Sequence, residues 1–285
     1  MGGLKAMSVA IKVDNLIKSY GTNTVIKDIS FTVNKNEIFA LLGTNGAGKT
    51  TTLECIEGIR KYDSGSITVD GTIGVQLQSS SLPANIKAIE AYQLFCKWNK
   101  VQVNTELFDA FGLNQLKNKQ YEEMSTGQKR RLHLALALIS NPDIIFLDEP
   151  TAGLDVEGRV SLHEQIRKLK EQGKTIIMAS HDMAEVESLC DRIAILKEGK
   201  IAFIGTINEL TNEIGRQYRI YIKTERPLKA DDYEQGYSLF ISGDIGDTLL
   251  ELLEICKQTQ NTVLDVKIEG ATLEQRFMDI AREVK

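Results

Sequence analysis

The chain carries the run Gly43-Thr44-Asn45-Gly46-Ala47-Gly48-Lys49-Thr50-Thr51. Its glycines allow backbone N–H groups to turn inward around a polyphosphate. A helix starting at the end of the run adds partial positive charge at the same place. Lys49 has the reach for β- and γ-phosphates, and the Thr50 hydroxyl can face Mg²⁺. The apolar run Ile38-Phe39-Ala40-Leu41-Leu42 precedes it and the helix-permissive Leu53-Glu54-Cys55-Ile56-Glu57 follows. Strand, glycine-rich loop and helix together predict a P-loop that binds a nucleoside triphosphate. The plain alternative, a structural turn, has no use for Lys-Thr-Thr at its end.

Two further segments carry chemistry. Ile144-Ile145-Phe146-Leu147 ends in Asp148-Glu149-Pro150. Alternation along a strand points Asp148 and Glu149 in different directions, which allows them separate jobs. Asp148 suits support of a hydrated metal, and Glu149 suits polarising an attacking water as general base. Met124-Ser125-Thr126-Gly127-Gln128-Lys129-Arg130-Arg131 precedes the apolar stretch Leu132 to Ile139. Ser125 is placed as an N-cap, and the helix start is either a second anion site or a simple cap on a buried helix. Lys129-Arg130-Arg131 reads as a solvated helix start. His133 and His163 read as ordinary helix residues.

The elements that must position these residues alternate. Ile11-Lys12-Val13, Ile29 to Val33 and Ile67-Thr68-Val69 carry strand signals separated by turns. Helical spacing runs through 84–120, with Ile86, Ile89, Tyr92 and Phe95 and then Leu107, Phe108 and Phe111. Ile144 to Leu147 and Thr175 to Ala179 are continuous apolar runs, as in strands buried on both faces of a parallel sheet. A helix is expected from Leu162 to Gln172, closed by Gly173. Glu198-Gly199 joins Arg192 to Leu196 with Lys200 to Phe203 as a hairpin. From about Gly215 the pattern becomes half-buried strands at 218–222 and 237–241, a helix at 249–256, a strand at 262–268 and a helix at 273–284. The predicted fold class is therefore α/β: a P-loop NTPase core with a mixed, largely parallel sheet and a helical subdomain over about 79–140, within residues 1–214. A small α+β tail follows over 215–285.

Composition narrows the function classes. With 285 residues, 42% hydrophobic and 26% charged, the chain supports a sizeable globular core. Its net charge of −5 and scattered basic residues argue against broad nucleic-acid binding. No apolar run reaches the roughly 18 residues of a membrane span, and no signal-peptide core opens the chain, so a cytoplasmic location is expected. Cys55, Cys96, Cys190 and Cys256 are far apart, which favours buried thiols over disulfides or zinc.

The P-loop, the Ser125-Thr126-Gly127-Gln128 segment and Leu147-Asp148-Glu149-Pro150 occur in that order, with Asp148 20 positions after Gln128. This combination resembles the ATP-binding cassette (ABC) ATPases over residues 9 to about 210. The resemblance implies that Tyr20 stacks on adenine and that Gln78 touches Mg²⁺ and the attacking water. It also implies that Ala152-Gly153-Leu154-Asp155 forms the D-loop and that His181 is the switch histidine. Met124 and Thr126 stand where the family signature has Leu and Gly. In such proteins the Ser125–Gly127 site caps the nucleotide of a second subunit, so the resemblance implies a head-to-tail dimer enclosing ATP and Mg²⁺. The catalytic set is then Lys49, Gln78, Glu149 and His181. Tyr20, residues 43–51, Ser125, Gly127, Gln128 and Asp155 hold nucleotide, and Thr50, Gln78 and Asp148 hold metal.

One cassette without a span implies a separate polytopic membrane permease, with the chain on the inner face of the membrane. Residues 271–277 resemble the extension of ABC-2-type exporter ATPases, which favours export. The competing expectation is a soluble ABC ATPase acting on ribosomes or DNA. Such proteins join two cassettes or insert long coiled coils, whereas only 76 positions separate Lys49 from Ser125 here.

Overall fold

Long runs of apolar residues between charged turns leave this chain one way to bury them, as strands in the middle of a sheet. The computed structural model describes residues 8–76, 82–213, 218–234 and 236–270. The chain divides into two units, Met1–Gly205 and Thr206–Lys285.

The first unit opens with β1 (Val9–Tyr20) and β2 (Asn23–Asn34), a long antiparallel pair. β3 (Ile38–Leu42) then leads through the glycine-rich loop into α1 (Lys49–Ile56). β4 (Ser64–Val69) returns to pair with β1, giving a three-stranded antiparallel sheet in the order β2-β1-β4. β5 (Ile73–Gln76) is followed by the helical region: α2 (Ala88–Trp98), α3 (Thr105–Ala110), a 3-10 turn at Asn114–Leu116 and α4 (Thr126–Ala137). The chain re-enters the sheet as β6 (Ile144–Asp148), crosses through α5 (Val156–Glu171) to β7 (Thr175–Ser180), and passes α6 (Met183–Leu189) to β8 (Arg192–Lys197) and β9 (Lys200–Gly205).

These strands make a six-stranded sheet, β5-β6-β7-β3-β8-β9, parallel except for the last pair. The mixed α/β fold expected from the sequence is present. Every residue of β3, β6 and β7 is buried. Phe39, Leu41, Phe146 and Ile177 from this sheet share a core with Ile11, Ile29, Phe31 and Val33 of the antiparallel sheet and with Leu53 and Ile56 of α1. Phe31 and Phe39 stack at 5.6 Å between centroids. Each large buried side chain contributes roughly 2–3 kcal/mol. That rigid block is what the site is mounted on.

Two local features explain the layout. Glu198 and Gly199 both have positive φ, the primed turn that matches strand twist. A Cβ on Gly199 would lie 2.2 Å from the Val25 carbonyl oxygen, so only glycine fits there. Asn15 and Asp28 also have positive φ, and Asn15 Nδ2 donates to Asp28 Oδ1 at 2.9 Å. They mark an irregularity within the β1–β2 ladder rather than its end.

The second unit contains α7 (Ile207–Glu213), β10 (Tyr218–Thr224), β11 (Asp232–Glu234), β12 (Tyr237–Ser242), α8 (Ile245–Gln258) and β13 (Val263–Gly270). Its four strands are antiparallel in the order β11-β12-β10-β13. Leu252 and Cys256 of α8 pack on Ile220 and Ile222 of β10. The division places α7 with this unit, ahead of the 214/215 boundary read from sequence. The helix expected at 273–284 lies outside the described residues.

Candidate active site

The glycine-rich loop is shaped by close approaches. A Cβ on Gly43 would lie 2.6 Å from the Leu196 carbonyl oxygen of β8. Gly48 caps α1 with φ 106°, a conformation that side chains disfavour. The first helical residue is Lys49, and the first intrahelical bond runs from the Thr52 N–H to Gly48 O, so residues 49–51 present their backbone N–H groups at the loop. Lys49 is 6% exposed and lies across its own loop, where Nζ donates to Gly43 O at 2.8 Å and Thr44 O at 3.3 Å. Lys49 Nζ also stands 3.6 Å from Glu149 Oε1.

β6 delivers the two carboxylates to the same place. Asp148 is its last residue, buried, and hydrogen-bonded with the Thr50 side chain. Burial pushes the Asp148 carboxyl above its ordinary range, and the Thr50 bond opposes that. Its Oδ1 is buried without a hydrogen-bond partner. Glu149 has left the strand with φ 49°. Its N–H donates to Ala179 O of β7 at 3.0 Å, and its Oε2 meets His181 Nδ1 at 2.7 Å. The left-handed backbone at Glu149, not strand alternation, is what separates the two carboxylates. A non-glycine residue held there stores strain, as functional positions often do.

Lys49, Thr50, Asp148, Glu149 and His181 therefore meet at the end of β3, β6 and β7. The donor set fits a hydrated Mg²⁺: an orphaned Asp148 oxygen beside a threonine hydroxyl, with phosphate oxygens to complete the shell. The described residues contain no cluster of three or more His, Cys, Asp and Glu that could cage a metal by themselves. Gln78 lies outside the described residues. Tyr20, at the end of β1, is 43% exposed, with Lys18 Nζ 5.4 Å and the Arg60 guanidinium 5.3 Å from its ring centre.

A second group gathers at the start of α4. Ser125 is the N-cap: its Oγ accepts from the Gln128 N–H at 3.3 Å while Gln128 Oε1 accepts from the Ser125 N–H at 3.1 Å. This is a reciprocal capping box. Asp155 caps α5, accepting from Gly158 N–H at 2.8 Å. Ser125, Gly127, Gln128, Arg130 and Asp155 line a cavity of about 240 Å³. A Cβ on Gly127 would meet only Leu154 Cδ2 at 3.7 Å, an ordinary contact, so its glycine is not demanded from within the chain. Thr126 packs its Cγ2 3.5 Å from where a Gly153 Cβ would stand.

The reading of Lys129-Arg130-Arg131 as a solvated start is corrected by its surroundings. Lys129 Nζ lies 4.8 Å from the Tyr121 ring centre, and Arg131 donates to Phe111 O at 3.5 Å. Arg130 is partly buried, which lowers its pKa, while the charges of Asp148, Tyr121 and Glu149 raise it. Nothing in its sequence position distinguishes Arg130 from its neighbours.

Residues 26–152 match the ABC transporter family profile. The chain is 37% identical over 239 residues to an uncharacterised ABC transporter ATP-binding protein of Methanocaldococcus jannaschii, covering 81% of this chain and 90% of that one. It is 37% identical over 225 residues to the Nod factor export ATP-binding protein I of Paraburkholderia xenovorans, covering 72% of this chain and 74% of that one. Among solved structures, a dimeric ATP-binding cassette in a post-hydrolysis state with ADP and Pi superposes with a TM-score of 0.64 at 24% identity, over 69% of this chain and 98% of that one.

Proposed function

The chain belongs to the ATP-binding cassette family of transporter ATPases, and we propose that it powers a separate polytopic membrane permease as an exporter, through a dimer that closes on ATP. The observation that carries the ATPase reading is the convergence of Lys49, Glu149 and His181 beside the glycine-rich loop, at 3.6 Å and 2.7 Å from the Glu149 carboxylate oxygens. Among the described residues no helix is long and apolar enough to cross a membrane. Similarity to a Nod factor export ATP-binding protein supports the direction.

In this reading the backbone of residues 43–51 cradles the phosphates and Tyr20 stacks on the base. Lys49 swings from its own loop carbonyls to the β- and γ-phosphates. Glu149 accepts a proton from water as that water's oxygen attacks the γ-phosphorus, and the bond to the β-phosphate oxygen breaks to leave ADP. His181 donates to the transferring phosphoryl oxygens, where charge develops. Thr50, Asp148 and Gln78 would hold Mg²⁺, which when bound neutralises charge between the β- and γ-phosphates.

Ser125, Gly127, Gln128 and Asp155 act on the nucleotide of a second copy. The lack of a side chain at Gly127, where a Cβ would meet only Leu154 Cδ2 at 3.7 Å, suits close approach of a foreign phosphate to the helix start. Two copies paired head-to-tail bury two ATP molecules, and loss of the γ-phosphate loosens the pair.

The test is a pull-down of tagged Glu149→Gln chain from gently solubilised native membranes with ATP and Mg²⁺. A stoichiometric polytopic membrane protein is expected. Ribosomes, nucleic acid or only soluble proteins would refute the transporter role and favour the soluble alternative.

A further inference from the structure

The turn that carries His181 is held from behind by a buried carboxylate. β7 ends at Ser180, which is fully buried, and α6 starts two residues past His181. Ser180 Oγ donates to Glu185 Oε2 at 2.6 Å and accepts from the Asp182 N–H at 3.0 Å. The hydroxyl thus has its proton fixed on one side of the turn and its lone pair on the other, with His181 between. Glu185 is only 4% exposed. Its second oxygen, Oε1, faces His163 Nε2 of α5 at 3.7 Å, and neither atom has a hydrogen-bond partner.

An acidic residue in the first turn of a helix is ordinarily a solvated complement to the helix dipole. Glu185 instead turns inward, where an ionised carboxylate is costly to bury unless partners hold it. A second link from α5, Arg159 to Asp182 at 3.3 Å, is 47% and 34% exposed on its two sides. Exposed pairs of that kind contribute little, which leaves the buried Ser180–Glu185 hydrogen bond as the main tie on the turn.

We propose that Glu185 is a positioning residue for His181. Through the Ser180 hydroxyl it fixes the 180–182 turn so that Nδ1 of His181 stays on Glu149. The inference rests on the reading of His181 as the group that faces the phosphate. Glu185 also sets that turn beside α5, the helix capped by Asp155, whose middle carries His163.

The test is steady-state ATP hydrolysis by the full-length chain carrying Glu185→Gln, Ser180→Ala, His181→Ala and the two double variants with His181→Ala. Glu185→Gln and Ser180→Ala are each expected to lower kcat about tenfold, the order expected when one charge-assisted hydrogen bond behind a catalytic group is lost. KM for ATP should stay within about twofold, because the P-loop is untouched. In the His181→Ala background neither change should lower the residual rate further. Equal losses in both backgrounds, or a wild-type kcat for Glu185→Gln beside a slow His181→Ala, would overturn the proposal alone. A wild-type rate for His181→Ala would remove the site reading and the proposal together. Should Glu185→Gln fail to fold, Ser180→Ala removes a single hydroxyl and carries the same comparison.

Discussion

Glu57 closes α1, one turn beyond the residues that follow the P-loop, and one of its carboxylate oxygens is buried without a partner. Burial, then the nearby Asp148 and Glu54 charges, push its carboxyl from 4.5 up to about 7. A carboxyl raised in the folded state favours folding while protonated. Its contribution is fully present below about 4.5 and is lost as pH rises through about 7. The difference corresponds to an upper bound of roughly 3 kcal/mol. Glu57 keeps partial contact with solvent, which screens the charge and brings this to about 1–2 kcal/mol. Glu57→Gln removes the charge and keeps the shape. Thermal unfolding of nucleotide-free protein in EDTA is the assay, with EDTA keeping metal from Asp148. At pH 8 the variant should melt roughly 3–6 °C higher than the parent, and at pH 5 within about 1 °C of it. A gain at pH 5 as large as at pH 8, or a loss at pH 8, would refute the reasoning.

His133 offers the opposite sign: burial holds its pKa down to about 4 from 6.5, so stability is full above 6.5 and lost as pH falls toward 4. His133→Gln should flatten the fall in Tm between pH 6.5 and 4.5, measured by the same melts. Tyr20→Ala should weaken ATP binding about tenfold in a fluorescent-nucleotide titration while Tyr20→Phe leaves it unchanged, since stacking on a base contributes roughly 1–3 kcal/mol and needs no hydroxyl. Phe146 is fully buried between the two sheets, so Phe146→Ala should cost about 3–5 kcal/mol in denaturant unfolding and leave the m-value unchanged.

The parts of the fold that the sequence disclosed are those where composition leaves one choice. Ile38 to Leu42 and Ile144 to Leu147 are apolar at every position, and each became a strand buried on both faces. Glu198-Gly199 specified its own turn. The start of α5 was less legible: its first apolar buried residue is Leu162, but the helix begins six residues earlier because Asp155 caps it. Ile11-Lys12-Val13 marked only part of β1, which runs on to Tyr20 through an irregularity where Asn15 is tied to Asp28 across the ladder. β11 is three exposed residues that pair only because β12 lies beside them. At the site, the motifs nominated Lys49, Asp148 and Glu149, and the family resemblance added His181. It was silent on the left-handed backbone at Glu149, on the burial of Arg130 and on Glu185 behind His181. Those depend on which helix packs over which strand, and no local pattern encodes that.

The central claim is that two copies close on ATP and that Glu149 opens them again by hydrolysis. It is tested most directly by light scattering on purified Glu149→Gln chain, with and without ATP and Mg²⁺. The account predicts one chain mass without nucleotide, twice that mass with ATP, and hydrolysis slowed by about a hundredfold or more. A variant that binds ATP yet stays at one chain mass, or one that turns over at the wild-type rate, would contradict it.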